Sequence, residues 1–135
     1  MELQVLEVHE PNGLASAFSA LTGWGAGAVL ALSDPMFGSQ LAQLARLAVE
    51  NRLPAIYLRD EFAEVGGLMS YGPSFSHNWR RAAYYVDRIL KGTKPADLPV
   101  EQPMTFDFVV NMKTARELGI TFPNEIMLQV TEVIQ

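Results

Sequence analysis

The stretch AGAVLALSDPMFGS, residues 26–39, decides how the rest of the chain is read. Ala28, Val29, Leu30, Ala31 and Leu32 form an unbroken apolar run, and Ser33-Asp34-Pro35 ends it. A strand apolar on both faces is predicted to lie at the centre of a parallel sheet covered by helices. The end of such a strand, where Ser33 and Asp34 sit, is the rim at which open α/β sheets hold ligands.

Working outward, Pro35 opens a predicted helix reaching about Arg52, with Leu41, Leu44, Ala45 and Ala48 on one face. Ala55–Leu58 reads as a short strand, Arg59–Val65 as two helical turns stopped by Gly66-Gly67, and Leu68–Gly72 as a strand cut off by Pro73. Trp79, Ala82, Ala83, Val86, Ile89 and Leu90 then fall at helical spacing, and Gly92 and Pro95 end that helix. Lys94–Pro103 carries three prolines and reads as an extended connector. Thr105–Val110 is a further strand, Asn111 caps a helix over Met112–Leu118, Pro123 starts one more turn, and Thr131–Gln135 trails off extended.

Upstream, Leu3, Val5 and Val8 alternate imperfectly with polar residues and predict a first strand. Asn12 is placed to cap an amphipathic helix carrying Leu14, Phe18 and Leu21. Gly23-Trp24-Gly25-Ala26-Gly27 precedes a strand instead of following one, the wrong order for a dinucleotide loop. The alternation of strands and helices predicts one α/β domain with a mainly parallel sheet flanked by helices.

Composition narrows the function. With 10 basic and 15 acidic side chains the net charge is −5, and no basic cluster offsets it, so nucleic acid is excluded as a partner. No apolar run reaches the ~18 residues of a membrane span. Cysteine is absent, which removes disulfides, thiolate catalysis and cysteine-bound zinc. The start, MELQVLEVHEP, lacks the pattern of a secretory signal, so the chain reads as a mature product, a cytosolic protein or a fragment. His9 and His77 fall in no metal spacing, and no G-x-S-x-G elbow is present. The expectation is a protein with no catalytic residues, no metal and no cofactor.

The candidate contacts are polar and aromatic groups at strand ends. Asp34 can accept from a ligand ammonium or hydroxyl, or cap the following helix, and Ser33 has the same two uses. Met36 and Phe37 can floor an apolar pocket or staple the helix to its neighbours. Tyr57, Ser70 and Tyr71 lie at the ends of the next two strands. In a parallel sheet all three share the Asp34 rim and supply an aromatic wall with a few polar groups, the usual make-up of a small-molecule pocket.

Three long segments resemble one family. LSDPMFGSQ (32–40), NRLPAIYLRDEFAEVGGLMSYGPSF (51–75) and RRAAYYVDRILKGTKPADLPVEQPMTFDFVVNMKTARELGI (80–120) are similar to the C-terminal part of ABC-transporter substrate-binding proteins. The group is the one resembling tryptophan/tyrosine-uptake binding proteins, with the class I periplasmic-binding fold. The resemblance implies two α/β lobes around a ligand cleft, no catalysis, delivery of a small solute such as an aromatic amino acid to an ABC permease, and a periplasmic or extracytoplasmic location. It implies that Ser33, Asp34 and Pro35 lie where the second lobe's central rim meets the ligand, with Tyr57 and Ser70-Tyr71-Gly72 at further cleft and crossover positions.

It also implies that this chain is an incomplete second lobe, and that the helix within 74–92 packs on a first lobe that the sequence lacks. A strand of the family lobe would lie between Leu3–Val8 and Val29–Leu32, leaving open edges there. A homo-oligomer or domain-swapped dimer is expected from those edges. The reading from another class is a non-catalytic regulatory or scaffold domain that binds a protein partner.

Overall fold

The computed structural model describes residues 2–135. The sheet is five-stranded, and its strand order follows the chain: β1 (Val29–Leu30), β2 (Ala55–Tyr57), β3 (Met69–Pro73), β4 (Phe106–Asn111) and β5 (Glu132–Ile134). The pairs β1–β2, β2–β3 and β4–β5 are parallel, and β3–β4 is antiparallel. The sheet is therefore mainly parallel by pairing, with β4 and β5 running opposite to the first three strands.

Two strand expectations are corrected. Val29–Leu30 is an edge strand, not the central one, and Leu30 and Leu32 are 64% and 68% exposed. A continuous apolar run is common to buried and edge strands, so periodicity cannot separate them. Leu3–Val8 forms no strand: residues 2–9 carry no regular structure, Leu3 and Val5 are exposed, and Val8 packs against the core. A strand exists only through pairing, and this segment pairs with none of the five strands. The extended tail at Thr131–Gln135, by contrast, becomes the edge strand β5.

One face of the sheet carries the main core. Leu14 and Phe18 come from α1 (Leu14–Gly23), and Leu44, Ala45, Leu47 and Ala48 from α3 (Leu41–Glu50). Phe62 from α4 (Glu61–Glu64) and the strand residues Ala55 and Tyr57 complete it. Burying each such leucine or phenylalanine stabilises the fold by roughly 1.5–3 kcal/mol. The expected helix from Pro35 to Arg52 is two helices, α2 (Pro35–Ser39) and α3, because Gln40 leaves helical geometry at φ −119°, ψ 22°. Asn12 does not cap α1: Pro11–Gly13 is a 3-10 turn, and Gly13 holds the N-cap position without a side-chain bond.

The opposite face is defined by register. Leu30, Ile56, Met69, Val110 and Val133 are successive cross-strand partners, so they form one apolar row across all five strands. Val110 is buried, Ile56 and Met69 are half-buried, and Leu30 and Val133 at the two ends are exposed.

Between β3 and β4 the chain leaves the sheet. It forms α5 (Phe75–Leu90) and a return strap through a 3-10 turn at Pro95–Asp97. No residue of α5 is buried. The chain then closes with α6 (Met112–Leu118) and α7 (Asn124–Met127). Asn111 Oδ1 accepts from the Lys113 and Thr114 amides at 3.0 and 3.1 Å, and its Nδ2 donates to the Ala63 carbonyl at 2.9 Å. This one buried side chain caps α6 and ties it to α4. Gly119, at φ 71°, ends α6 in the left-handed conformation that favours glycine.

Candidate functional site

The Asp34 rim is built from below. Asp34 is extended (φ −145°, ψ 142°), and Pro35 presets the first helical position of α2. Asp34 Oδ1 accepts from the Met36 amide at 2.7 Å, so the carboxylate caps α2 while remaining exposed. Oδ2 is left for other donors. Ser33 is exposed beside it, and Met36 and Phe37 are half-buried, Phe37 against the core. Tyr57 is 1% exposed, packs its ring 5.9 Å from Phe62, and donates from its hydroxyl to the Asp34 carbonyl at 3.4 Å.

Register separates the remaining candidates. Ser70 is the cross-strand partner of Tyr57 and shares its face. It is 1% exposed, and its Oγ has no hydrogen-bond partner among the described residues. Tyr71 points to the other face, where it stacks on Phe106 at 5.7 Å and meets Phe108 edge-on at 5.8 Å. The single wall expected from Tyr57, Ser70 and Tyr71 does not form. Consecutive strand residues alternate sides, so Tyr57 and Ser70 lie on the core face while the half-exposed Tyr71 lies across the sheet.

Where β3 leaves the sheet, Gly72 passes so close to β2 that a Cβ would sit 2.1 Å from the Leu58 carbonyl oxygen. A charged pair, Arg59 and Glu61, stands nearby. Arg59 lies 5.2 Å over the Phe75 ring at the start of α5, and its Nε donates to Glu61 Oε2 at 2.9 Å. The Arg59 guanidinium pulls the Glu61 carboxyl down to about 2, whereas burial pushes its neighbour Asp60 upward. A basic residue followed by Asp60 and Glu61 just past a strand end was the available signal for the pair.

Two grooves lie away from the rim. The larger runs between α5 and the return strap, lined among others by His77, Arg81, Tyr85, Glu101 and Met104. The smaller lies between Leu6–His9 and α1. Neither groove is lined by Asp34 or by the other strand-end candidates. Among the described residues no three His, Asp or Glu side chains gather as a metal site, and no helix is long and apolar enough to cross a membrane.

The family model for ABC transporter substrate binding protein matches residues 1–134. The chain belongs to this family. Solved structures of similar fold agree with the membership. A conserved domain protein from Vibrio cholerae O1 biovar El Tor str. N16961 is 26% identical, with a TM-score of 0.81 over 92% of this chain and 42% of its own. An ABC domain from Streptococcus pneumonia in complex with L-Trp is 29% identical, with a TM-score of 0.82 over 94% of this chain and 44% of its own. The ligand-free, open structure of a substrate-binding protein with adhesive properties from Clostridium difficile shares the fold. It is 22% identical, with a TM-score of 0.68 over 95% of this chain and 42% of its own. No curated protein matches. This substrate-binding family member thus spans less than half the length of these structural neighbours, and its mixed α/β sheet corresponds to part of a periplasmic-binding architecture.

Proposed function

We propose that this chain forms one side of a solute cleft in an ABC uptake system, binds an aromatic amino acid there, and catalyses nothing. The observation that carries the reading is the Asp34 carboxylate: exposed and fixed by the Met36 amide, on a main chain whose carbonyl accepts from the Tyr57 hydroxyl. Its free oxygen suits a ligand ammonium. Ser33 supplies a second polar contact, and Met36 and Phe37 an apolar floor. Tyr57 acts from behind through its bond to the Asp34 carbonyl, and Ser70 is buried on the same face. The L-Trp in the pneumococcal neighbour supports the ligand class.

On this reading the protein works outside the cytoplasm and hands its solute to a permease, and α5 within 74–92 packs on a first lobe. The open outer edge of β1 and the bare stripe of α5 favour a homo-oligomer or domain-swapped dimer when neither is covered.

A cleft closed from one side only leaves half of the ligand in water, so affinity is expected to be weak. Titration of the chain with L-Trp, followed by NMR, is expected to shift the amides of Ser33, Asp34, Met36 and Phe37 with millimolar midpoints, and Asp34→Ala to abolish the shifts. An absence of rim shifts, or calorimetric binding at micromolar or tighter levels, would contradict the reading. The exposed stripe of α5 favours a second reading, a regulatory or scaffold domain for a protein partner, and a silent rim would turn attention to it.

A further inference from the structure

The sheet is apolar on both faces, and its helices gather on one. Leu14 and Phe18 of α1, Leu44 of α3 and Phe62 of α4 pack with Tyr57, and α6 joins that side beside α3, tied to α4 by Asn111. On the other face, the row from Leu30 to Val133 is flanked by the rings of Tyr71, Phe106 and Phe108. No charged side chain interrupts that row or the ring cluster. Strands that meet water on one face alternate apolar with polar residues. Ala55-Ile56-Tyr57 and Phe108-Val109-Val110 do not, which is the pattern of a sheet covered on both sides. Yet Leu30 and Tyr71 are 64% and 51% exposed, and Phe106 and Val133 are 43% and 41% exposed.

A second apolar surface of the chain is equally bare. At 100° per residue, Phe75, Trp79, Ala83, Val86 and Leu90 form one stripe of α5, and Arg80, Arg88 and Lys91 fall away from it. Arg81 donates from Nε and Nη2 to both carboxylate oxygens of Glu101, and the Tyr85 hydroxyl donates to the Pro99 carbonyl at 2.7 Å. These bonds hold the return strap on the side of α5 that carries His77, Arg81 and Tyr85, so the strap leaves the stripe open. No residue of α5 is buried, so the helix does not lie back on its own sheet either.

We propose that, in a twofold dimer, the α5 stripe of each copy covers the bare sheet face of the other. The inference rests on the self-association reading above, in which no first lobe covers α5, and it names the two surfaces that meet. Both are uncharged, so their contact desolvates no ion. Their dimensions agree: Phe75 to Leu90 spans about 22 Å of helix, and a row across five strands about 19 Å. Trp79, Val86 and Leu90 on the stripe, with Leu30, Tyr71, Phe106 and Val133 on the face, leave on the order of 100 Å² each in water. Covering both sets in both copies removes about 1,400 Å², within the roughly 1,200–2,000 Å² of specific, stable interfaces. Stripe meets face and face meets stripe about one axis, so the assembly closes at two copies and leaves neither surface for a third.

The absence of native cysteine makes the test direct. Val86→Cys protein is mixed with Tyr71→Cys protein under mild oxidation, and a mixed disulfide of twice 14.9 kDa is expected. Arg88→Cys, on the basic side of α5, replaces Val86→Cys in the control. Proximity should make the first pair link roughly tenfold faster than the control or more. Leu90→Cys and Phe106→Cys probe the same two surfaces if either variant misfolds. Equal rates for the test pair and the control would overturn the inference. So would faster self-linkage of Leu32→Cys protein, which marks pairing of β1 edges, or a Tyr71→Cys/Val86→Cys double variant that links within one chain. Light scattering separates the two levels of the reading. A monomeric mass at micromolar concentration removes self-association and this inference together, whereas a dimer without the mixed disulfide removes this inference alone.

Discussion

The Tyr57 hydroxyl donates to the main-chain carbonyl of Asp34 at 3.4 Å, from a ring that is 1% exposed. At that length the bond is weak, and the ring contributes chiefly by packing. Tyr57→Phe is expected to cost less than ~1 kcal/mol. Tyr57→Ala should cost roughly 3–5 kcal/mol, as for other large aromatic truncations. Urea denaturation of the two variants measures the difference, and equal costs would show that the hydroxyl, not the ring, holds the loop.

Asp34 combines a structural and a chemical use that substitution can separate. Asp34→Ala removes the acceptor for the Met36 amide and should cost about 1 kcal/mol. Asp34→Ser keeps a capping oxygen without the charge. Its stability should stay within about 0.5 kcal/mol of the parent while L-Trp shifts at the rim disappear. Retained shifts in Asp34→Ser would show that the charge is not the ligand contact.

Gly72 tests how tightly β3 is pressed on β2. A Cβ there meets the Leu58 carbonyl oxygen at 2.1 Å, and backbone cannot step aside as a flexible side chain can. Gly72→Ala should therefore destabilise by at least roughly 1–3 kcal/mol. Gly38, where a Cβ would meet nothing within 4 Å, is the control expected to tolerate alanine. A chemical-denaturation midpoint unchanged in Gly72→Ala would remove the close approach from the account.

Acid should weaken the fold in part through Glu61. Its carboxyl lies at about 2 in the folded chain, held down first by the Arg59 hydrogen bond, against an ordinary value of 4.5. A depressed carboxyl stabilises above its unfolded value and loses that contribution as pH falls from about 4.5 towards about 2. Asp60 acts in the other direction, because burial raises it and protonation relieves that burial cost. Both side chains of the Arg59–Glu61 pair are 40% exposed, so solvent screens the effect and it should be modest. Glu61→Gln is expected to flatten the stability profile across that window, and a parallel profile in the two proteins would exclude Glu61 as its source.

Uncovered apolar surface predicts association. Trp79, Val86 and Leu90 are 73%, 55% and 82% exposed, and covering each would gain roughly 1.5–3 kcal/mol. Light scattering at micromolar concentration should give a mass above 14.9 kDa, and Trp79→Lys with Val86→Lys should return it to that value. A clean 14.9 kDa for the parent chain would sink the prediction.

Much of this architecture was legible because local patterns carry it. The helical spacing from Trp79 to Leu90 marked α5, and Asn111 with Gly119 bounded α6 in the structure as in the sequence. Strand direction is not a local property, and nothing in Phe106–Asn111 announces that β4 runs against β3. The edge position of Val29–Leu30 and the unpaired state of Leu3–Val8 likewise depend on which neighbours exist. At the site, Asp34 could be read from its place after a strand. The separation of Tyr57 and Tyr71 onto opposite faces required the register Tyr57–Ser70. Arg81 and Glu101 are too far apart in sequence for a helix-spacing rule to join them.

The antiparallel pairing of β3 with β4 makes these two strands a hairpin, and everything from Ser74 to Thr105 is, topologically, its loop. Because the loop's ends are already bonded to each other, the sheet gains no register information from its contents. A two-residue Asn-Gly turn grafted between Pro73 and Phe106 could replace the whole excursion and leave the five strands in order. The fold thus splits into a five-stranded scaffold and an inserted excursion whose length the register of the scaffold does not depend on.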